Sequence, residues 1–341
     1  MIRSSVLYRG PDGAPRRPVI VFAGLVVILL LSVLASTMTG ARFLSPSEWW
    51  RALVAPGADP VTSIVWDMRI PRTAVGLVVG AAYGVAGALM QALTRNPLAD
   101  PGIIGISSGA GFVSVIITAF APSLLFLTPL FAFAGGIAAY FLVYTLSWKG
   151  GLSPLRIILV GVAVNAMFTG LSMVFNSMNG GNVQGVAAIV NGNIAMKTWE
   201  DVRILFPYIL VGLILSAFLI SKCNILLLED KTIRNLGMNV NRMRIMVSMV
   251  GVLLAGISTA IVGNISFLGL IVPHIGRLLV GSNHKKLLPF SMILGALVFL
   301  TADTVGRTIA APYEVSSAVI MSVIGGPFFI ILLRRSKQYG Q

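Results

Sequence analysis

Residues that could carry out chemistry are few in this chain, and none has the spacing of an active site. The sequence contains 11 Asp and Glu residues, two histidines and one cysteine among 341 residues. His274 and His284 lack a cysteine or carboxylate cluster at metal-ligand spacing, so we expect no metal site. Cys223 ends an apolar run, where a small buried hydrophobic residue is expected. The sequence therefore predicts no catalytic residue.

A row of polar residues inside an apolar segment is a clearer functional signal. Asn165, Thr169, Ser172 and Asn176 recur at i, i+4, i+7 and i+11, which places them on one face of a helix. Polar groups inside a bilayer generally face a helix bundle or a wet cavity. We therefore predict that this face lines a translocation path. For Thr169 and Ser172 the alternative, a hydrogen bond to their own helix, stays open.

The composition places these polar residues in a membrane protein. The chain is 56% hydrophobic and 11% charged, whereas soluble domains carry about a quarter charged residues. The net charge is +14, but Lys and Arg lie in the connectors between apolar runs and form no basic surface interleaved with aromatic residues. We therefore predict membrane lipid as the surroundings and no nucleic-acid partner.

Ten apolar runs predict an all-α, polytopic membrane protein with about ten transmembrane helices. Glycine-rich stretches at 84–105 and 256–276 resemble each other, which suggests two pseudo-repeats of about five helices within a single domain, 1–341. The eighth run is short and contains Pro273, so nine spans is the alternative. The ten runs are 19–38, 74–93, 103–120, 128–148, 155–175, 202–221, 246–262, 267–280, 288–305 and 315–333.

The basic residues predict the orientation. With ten spans and a cytoplasmic N-terminus, 18 of the 25 Lys and Arg residues lie in cytoplasmic segments, so both termini are predicted to be cytoplasmic. Residues 1–18 are interpreted as a retained basic leader, because no small-residue cleavage site closes the first apolar run. Residues 222–244 form the longest polar connector on the same side.

Three motif blocks follow one another along the chain. They are Met68–Thr73 (MRIPRT), Arg95–Gly102 (RNPLADPG) and Ile265–Arg277 (ISFLGLIVPHIGR). Together they resemble the FecCD family, the permease subunits of type II ABC importers for ferric siderophores, haem and vitamin B12. The resemblance extends from about Trp66 to the last span. The sequence has no G-x-x-x-x-G-K-[ST] loop, so we expect ATP hydrolysis to be carried out by a partner subunit. No enzyme activity is expected in this chain.

The resemblance implies the partners of the chain. They are a second permease subunit, identical or paralogous, two ATPase subunits and an extracytoplasmic substrate-binding protein. ATP and Mg would be bound by the ATPase subunits, and no cofactor is expected in this chain. Arg69, Arg72 and Arg307 match the arginines that dock the binding protein. The alternative is that they anchor helix ends, and Arg307 also has the i,i+4 spacing for an ion pair with Asp303.

The connector after the sixth span is expected to contact the ATPase. Residues 231–236 predict a short helix closed by Gly237, and Asn239 or Asn241 could cap the next helix. The resemblance assigns ATPase coupling to Glu229, Asp230, Lys231, Arg234, Asn235, Leu236 and Gly237. It also places the turn formed by Asn96, Pro97 and Leu98 near the inner gate, with a purely structural turn as the alternative.

The expected function is the import of a ferric siderophore across the bacterial cytoplasmic membrane. Import of vitamin B12 or haem is the alternative within the same class. A different class, the ion-coupled secondary transporter, would need intramembrane carboxylates. Asp303 is the acid best placed for that role, and Asp100 lies in a connector.

Overall fold

A computed structural model describes residues 18–40, 42–57, 59–147, 154–178 and 186–335. The predicted leader, apart from Pro18, lies outside the described residues, which contain helices and no strand. The α-helices are α1 (Pro18–Met38), α2 (Pro46–Val54), α3 (Pro60–Ser63), α4 (Ile70–Thr94), α5 (Ile106–Phe120), α6 (Thr128–Ser147), α7 (Pro154–Met178), α8 (Val186–Asn191), α9 (Trp199–Phe218), α10 (Ile220–Leu226), α11 (Asp230–Asn235), α12 (Val240–Val262), α13 (Leu268–Val280), α14 (His284–Thr308) and α15 (Ser317–Arg335).

The predicted spans correspond one by one to apolar helices. Within the described residues, eight helices are long and apolar enough to cross a membrane: α1, the continuous run Pro60–Thr94 that contains α4, and α6, α7, α9, α12, α14 and α15. The other two predicted spans are the shorter apolar helices α5 and α13. The prediction of an all-α protein with about ten membrane helices is confirmed.

Helices α5 and α13 are too short to cross a bilayer unaided. At 1.5 Å per residue they are about 22 Å and 20 Å long, against a hydrocarbon core of about 30 Å. Each follows an irregular segment, 95–105 before α5 and 263–267 before α13. Each also starts after a residue with positive φ, Gly105 at 87° and Phe267 at 67°. Each of these two predicted spans is therefore a short helix preceded by an irregular segment.

The same order of helices occurs twice, as the predicted pseudo-repeats require. Helices α4 to α7 run long, short, long, long, and α12 to α15 repeat that order. The two sets pack against each other: α4 contacts α14 of the second set, and α12 contacts α6 of the first. Helix α4 also contacts α13, and α12 also contacts α5. This reciprocal packing places α4 and α12 at the centre of the bundle.

Glycines on α4 allow its backbone to touch two neighbouring helices. A Cβ atom at Gly80 or Gly84 would clash with the backbone of α14, at Gly295 and Ser291 respectively. A Cβ atom at Gly87 would clash with the backbone of Gly269 in α13. Lipid supplies no hydrophobic drive for helix association, so close backbone contact of this kind is a main source of packing energy.

Adding one methyl group to this α4–α14 contact should destabilise the protein. Gly84→Ala is expected to lower the free energy of unfolding by about 1–3 kcal/mol, because the backbone of Ser291 cannot move aside as a side chain would. Gly170→Ala on α7 is the matched control, since no atom of the described residues lies within 4 Å of its added Cβ. Thermal unfolding of the two purified variants tests this; equal stability would show that the α4–α14 contact is loose.

Candidate translocation site

Three buried arginines gather at the N-terminal end of α4. Arg69 ends a π-helical turn, Arg72 lies in the first turn of α4 and Arg307 lies in the last turn of α14. The exposed fractions of the three residues are 8%, 7% and 4%. Charged residues are rarely so buried unless they are paired, so their partners decide what they do.

Arg69 and Arg307 bind the C-terminal end of α1. Arg69 Nη1 donates to the carbonyl oxygens of Thr37 at 3.1 Å and Met38 at 2.8 Å, and its Nη2 donates to Arg42 O at 2.7 Å. Arg307 Nη2 donates to the carbonyl oxygen of Ser36 and to Ser36 Oγ, the latter at 2.8 Å. Carbonyl groups at a helix C-terminus lack helical partners and carry partial negative charge, which guanidinium groups satisfy.

Arg72 joins α4, α14 and the connector before α15. Its Nε and Nη2 donate to the two carboxylate oxygens of Asp303, each at 2.9 Å, and its Nη1 donates to Glu314 Oε2 at 2.9 Å. The i,i+4 pair between Arg307 and Asp303 is present at 4.0 Å. All three arginines thus have partners inside the chain, as the anchoring alternative expected. Their docking role stays a prediction.

A small cavity with a mixed polar and apolar lining lies beside the predicted polar face of α7. Its volume is about 140 Å³, and Thr169 and Ser172 are part of its lining. Ser172 Oγ donates to Phe168 O at 2.8 Å within its own helix. Asn165 is not part of the lining. Its Oδ1 accepts a hydrogen bond from Asn264 Nδ2 at 3.4 Å, and Asn264 is part of the lining. Asn176 lies on the same helical face outside the cavity lining.

Three polar residues of this cavity were not predicted as site residues. Ser108 comes from α5, Asn191 from the end of α8 and Asn264 from the irregular segment before α13. A signal existed for each, because Ser108 lies in a small-residue motif and the two Asn residues interrupt apolar sequence. Their common location could not be derived from spacing. The lining, completed by Gly111, Val115, Ile189, Val190 and Ala318, contains no charged residue.

The two irregular segments meet next to this cavity. Asp100 is fully buried, and its Oδ1 accepts from Gly102 N at 2.8 Å and Ile103 N at 3.1 Å. Its Oδ2 faces Gly269 in the first turn of α13, where a Cβ atom would lie 2.9 Å away. Tyr83 of α4 bonds Thr259 Oγ1 at 2.7 Å and Ser107 Oγ at 3.2 Å, which ties α4 to α12 and α5. Non-helical backbone at membrane depth is tolerated only when buried in this way.

The predicted coupling segment lies at the opposite end of α4. Arg95, which follows α4, and Arg244 of α12 both donate to Oδ1 of Asp230, at 2.6 Å and 3.1 Å. Ile233 is fully buried and fixes α11, and Gly237 ends it with φ of 73°. The predicted cap is confirmed, since Asn239 Oδ1 accepts from Arg242 N at 3.0 Å. The remaining coupling residues are exposed: Glu229, Lys231, Arg234, Asn235, Leu236 and Gly237.

The turn after α4 is compact and largely buried. Asn96 Oδ1 accepts from Leu98 N at 2.9 Å, and both residues are less than 5% exposed, while Pro97 between them is partly exposed. Asn96–Leu98 therefore forms a fixed turn beside Arg95. This geometry suits a structural turn and leaves a role in gating as a prediction.

The histidines take structural positions. His274 packs edge-on against Phe328 at a centroid distance of 5.6 Å, and its Nδ1 is buried without a hydrogen-bond partner among the described residues. His284 Nδ1 lies 2.9 Å from Asn224 Oδ1. In the described part of the chain, no group of three or more His, Cys, Asp or Glu residues could hold a metal ion. Cys223 is buried, as predicted.

Comparison with known proteins identifies the class to which this architecture belongs. A model of the FecCD transport family matches residues 28–335, about nine-tenths of the chain. The chain belongs to the FecCD transport family. It is a multi-pass membrane permease of an ABC importer, whose ATPase is a separate component.

Relatives of this FecCD permease match along almost their whole length. The protein named "Probable heme-iron transport system permease protein IsdF" of Staphylococcus aureus strain bovine RF122 / ET3-1 is 38% identical over 319 residues. That match covers 94% of this chain and 97% of the relative. The protein of the same name from strain Newman gives the same identity and coverage.

Solved structures share the fold. A metal-chelate type ABC transporter in an inward-facing conformation has a TM-score of 0.75 and 30% identity, covering 93% of this chain and 99% of that one. PsaBC from Streptococcus pneumoniae in complex with Fab has a TM-score of 0.56 and 20% identity, covering 77% of this chain and 89% of that one. The second likeness shows the fold alone.

Removing the guanidinium group of Arg72 should strongly destabilise the FecCD permease. Arg72→Gln leaves the buried carboxylate of Asp303 without its bidentate partner, which is expected to cost about 3–5 kcal/mol of unfolding free energy. Glu314→Gln removes only the partner whose side chain is 40% exposed, with an expected loss under about 1 kcal/mol. Thermal unfolding compares the two. Equal losses would contradict the assignment of Asp303 as the main partner.

Proposed function

We propose that this FecCD permease imports an iron chelate, with haem as the first candidate, along a path that includes the 140 Å³ cavity. The observation that carries the proposal is the lining of that cavity by neutral hydroxyl and amide groups of Ser108, Thr169, Ser172, Asn191 and Asn264. Such groups can contact a polar cargo weakly at many points, and they contain no imidazole, thiolate or carboxylate to remove iron from its chelator.

Haem is preferred to a ferric siderophore because of the relatives. The Staphylococcus aureus proteins at 38% identity are named for heme-iron transport, and one solved neighbour is of the metal-chelate type. The resemblance in sequence alone favoured a ferric siderophore, which remains the second candidate, ahead of vitamin B12. The cavity is smaller than the roughly 300–1,000 Å³ of small-molecule sites, so transport requires the surrounding helices to separate.

The positions of Arg72 and Arg95 support the binding of the ATPase subunits and the substrate-binding protein to opposite faces of the permease. Arg72 and Arg95 lie at opposite ends of α4, about 35 Å apart along its axis at 1.5 Å per residue. We assign the α11 end to the cytoplasm and to the ATPase subunits, which would bind ATP and Mg. The Arg72 end then faces outward, towards the substrate-binding protein. The permease itself needs no cofactor.

Docking of the binding protein at the outer end would use Arg72, which is already paired within the chain. Glu314 is the exposed partner of Arg72, whereas Asp303 is buried. A carboxylate of the binding protein could therefore take the place of Glu314 on Nη1 of Arg72 while Asp303 keeps the arginine in position. Arg69 and Arg307 would support this site by fixing the end of α1.

A second permease subunit is expected against α7 and α15. Both helices expose large apolar residues along their length, including Val162 and Met173 on α7 and Val323 and Ile331 on α15. Both also contribute to the cavity lining. Movement at this contact would open or close the path, with the turn Asn96–Leu98 at its cytoplasmic end.

Ion-coupled transport receives no support from Asp303, the carboxylate best placed for it. Asp303 accepts two hydrogen bonds of 2.9 Å from Arg72 and lies 4.0 Å from Arg307, so its negative charge is held by two cations. A proton carrier would have to give up this pairing in every cycle, at a cost of several kcal/mol.

Uptake by proteoliposomes tests the function. The permease is reconstituted with its ATPase and binding protein, and uptake of ⁵⁵Fe-haem is compared with that of a ⁵⁵Fe-siderophore and cyanocobalamin. We expect haem uptake that needs ATP hydrolysis and resists a proton uncoupler, with an ATPase variant unable to hydrolyse ATP as the control. Uptake without the ATPase would contradict the importer assignment, and siderophore uptake without haem uptake would contradict the choice of cargo.

A further inference from the structure

A second and larger cavity lies at the α11 end of the bundle and takes no part in the proposed path. It has a volume of about 510 Å³ and lies between α4, α6, α7 and α12. Apolar side chains form most of its wall, among them Leu93, Ile104, Val143 and Met249. Its volume falls in the range of about 300–1,000 Å³ that is typical of ligand sites.

One end of this cavity is positively charged. Arg95 and Arg244 both line it, and both donate to the same oxygen of Asp230. Two guanidinium groups thus share one carboxylate, which leaves an excess of one positive charge. The two arginine side chains are 30% and 27% exposed, so an incoming anion can reach them. Guanidinium groups bind phosphate oxygens in pairs, with good geometry.

Another part of the cavity wall consists of apolar residues that are exposed on the surface of the helix bundle. Phe141 of α6 and Ile245 of α12 are part of the lining, and they are 53% and 60% exposed although both belong to membrane-crossing helices. Apolar residues exposed on such helices contact lipid chains wherever no partner subunit covers them. The cavity therefore has an exposed apolar wall directly beside the cationic site formed by Arg95 and Arg244.

We propose that this cavity binds an anionic glycerophospholipid, with its phosphate at Arg95 and Arg244 and an acyl chain along Leu93, Ile104 and Val143. An empty apolar cavity of this size would be costly, and a lipid chain is the apolar molecule that the membrane supplies. Basic pockets between membrane helices favour anionic over zwitterionic head groups. The lipid would come from the leaflet next to α11. This proposal requires that the chain spans a membrane and is independent of the cargo.

Native mass spectrometry of the full-length permease in detergent tests the proposal. The protein is titrated with phosphatidylglycerol and, separately, with phosphatidylcholine of the same acyl chains. We expect phosphatidylglycerol to bind at least about fivefold more tightly, since each nearby Arg contributes about 1 kcal/mol. Arg244→Gln should remove that preference, and Met249→Trp, which fills the cavity without changing charge, should weaken both lipids.

Arg242→Gln is the matched control, because it removes the same charge from an exposed position on α12 outside the cavity lining. Its affinities should equal those of the unsubstituted protein, and thermal unfolding of every variant checks that each is folded. Equal affinity for the two lipids would overturn the proposal. An equal loss in Arg242→Gln and Arg244→Gln would also overturn it, because it would show diffuse surface attraction, and unaltered binding in Met249→Trp would place the lipid elsewhere.

Discussion

The structure depends on one requirement, that every backbone polar group at membrane depth finds a partner within the protein. Two segments, 95–105 and 263–267, break the helical pattern that would meet this requirement automatically. They are tolerated because Asp100 accepts hydrogen bonds from two backbone N–H groups. The glycines of α4 also allow its backbone to contact the backbones of α13 and α14. A chain with larger residues along α4 could not bury these segments.

The same arrangement connects both ends of α4 to other helices. One end of the helix is fixed by Arg72 to Asp303 of α14, and the other is followed by Arg95, which pairs with Asp230 of α11. In between, Tyr83 bonds residues of α5 and α12, and Gln91 Nε2 donates to Gly269 O of α13 at 3.1 Å. Through α4, α11 is therefore connected to α5 and α13, and α5 lines the 140 Å³ cavity.

The sequence predicted the local features well and the tertiary ones poorly. Spans, the Asn239 cap and the Gly237 helix end follow from residue preferences over a few positions, so they could be derived. The partners of Arg72 could not, because Asp303 and Glu314 are more than 200 residues away in the chain. The polar face of α7 was predicted because its residues are close in sequence. Asn264 was not predicted, because it lies 99 residues from its hydrogen-bond partner Asn165.

A measurement of the side of the membrane on which α11 lies tests the account most directly. The face that binds the ATPase, the face that docks the binding protein and the leaflet that supplies the lipid all follow from it. The single cysteine, Cys223, is replaced by Ser, and Lys231, which is exposed on α11, is replaced by Cys. A membrane-impermeant maleimide is then added to intact cells and to inverted membrane vesicles. The account predicts labelling of the inverted vesicles alone. Labelling of intact cells would place α11 outside and contradict it.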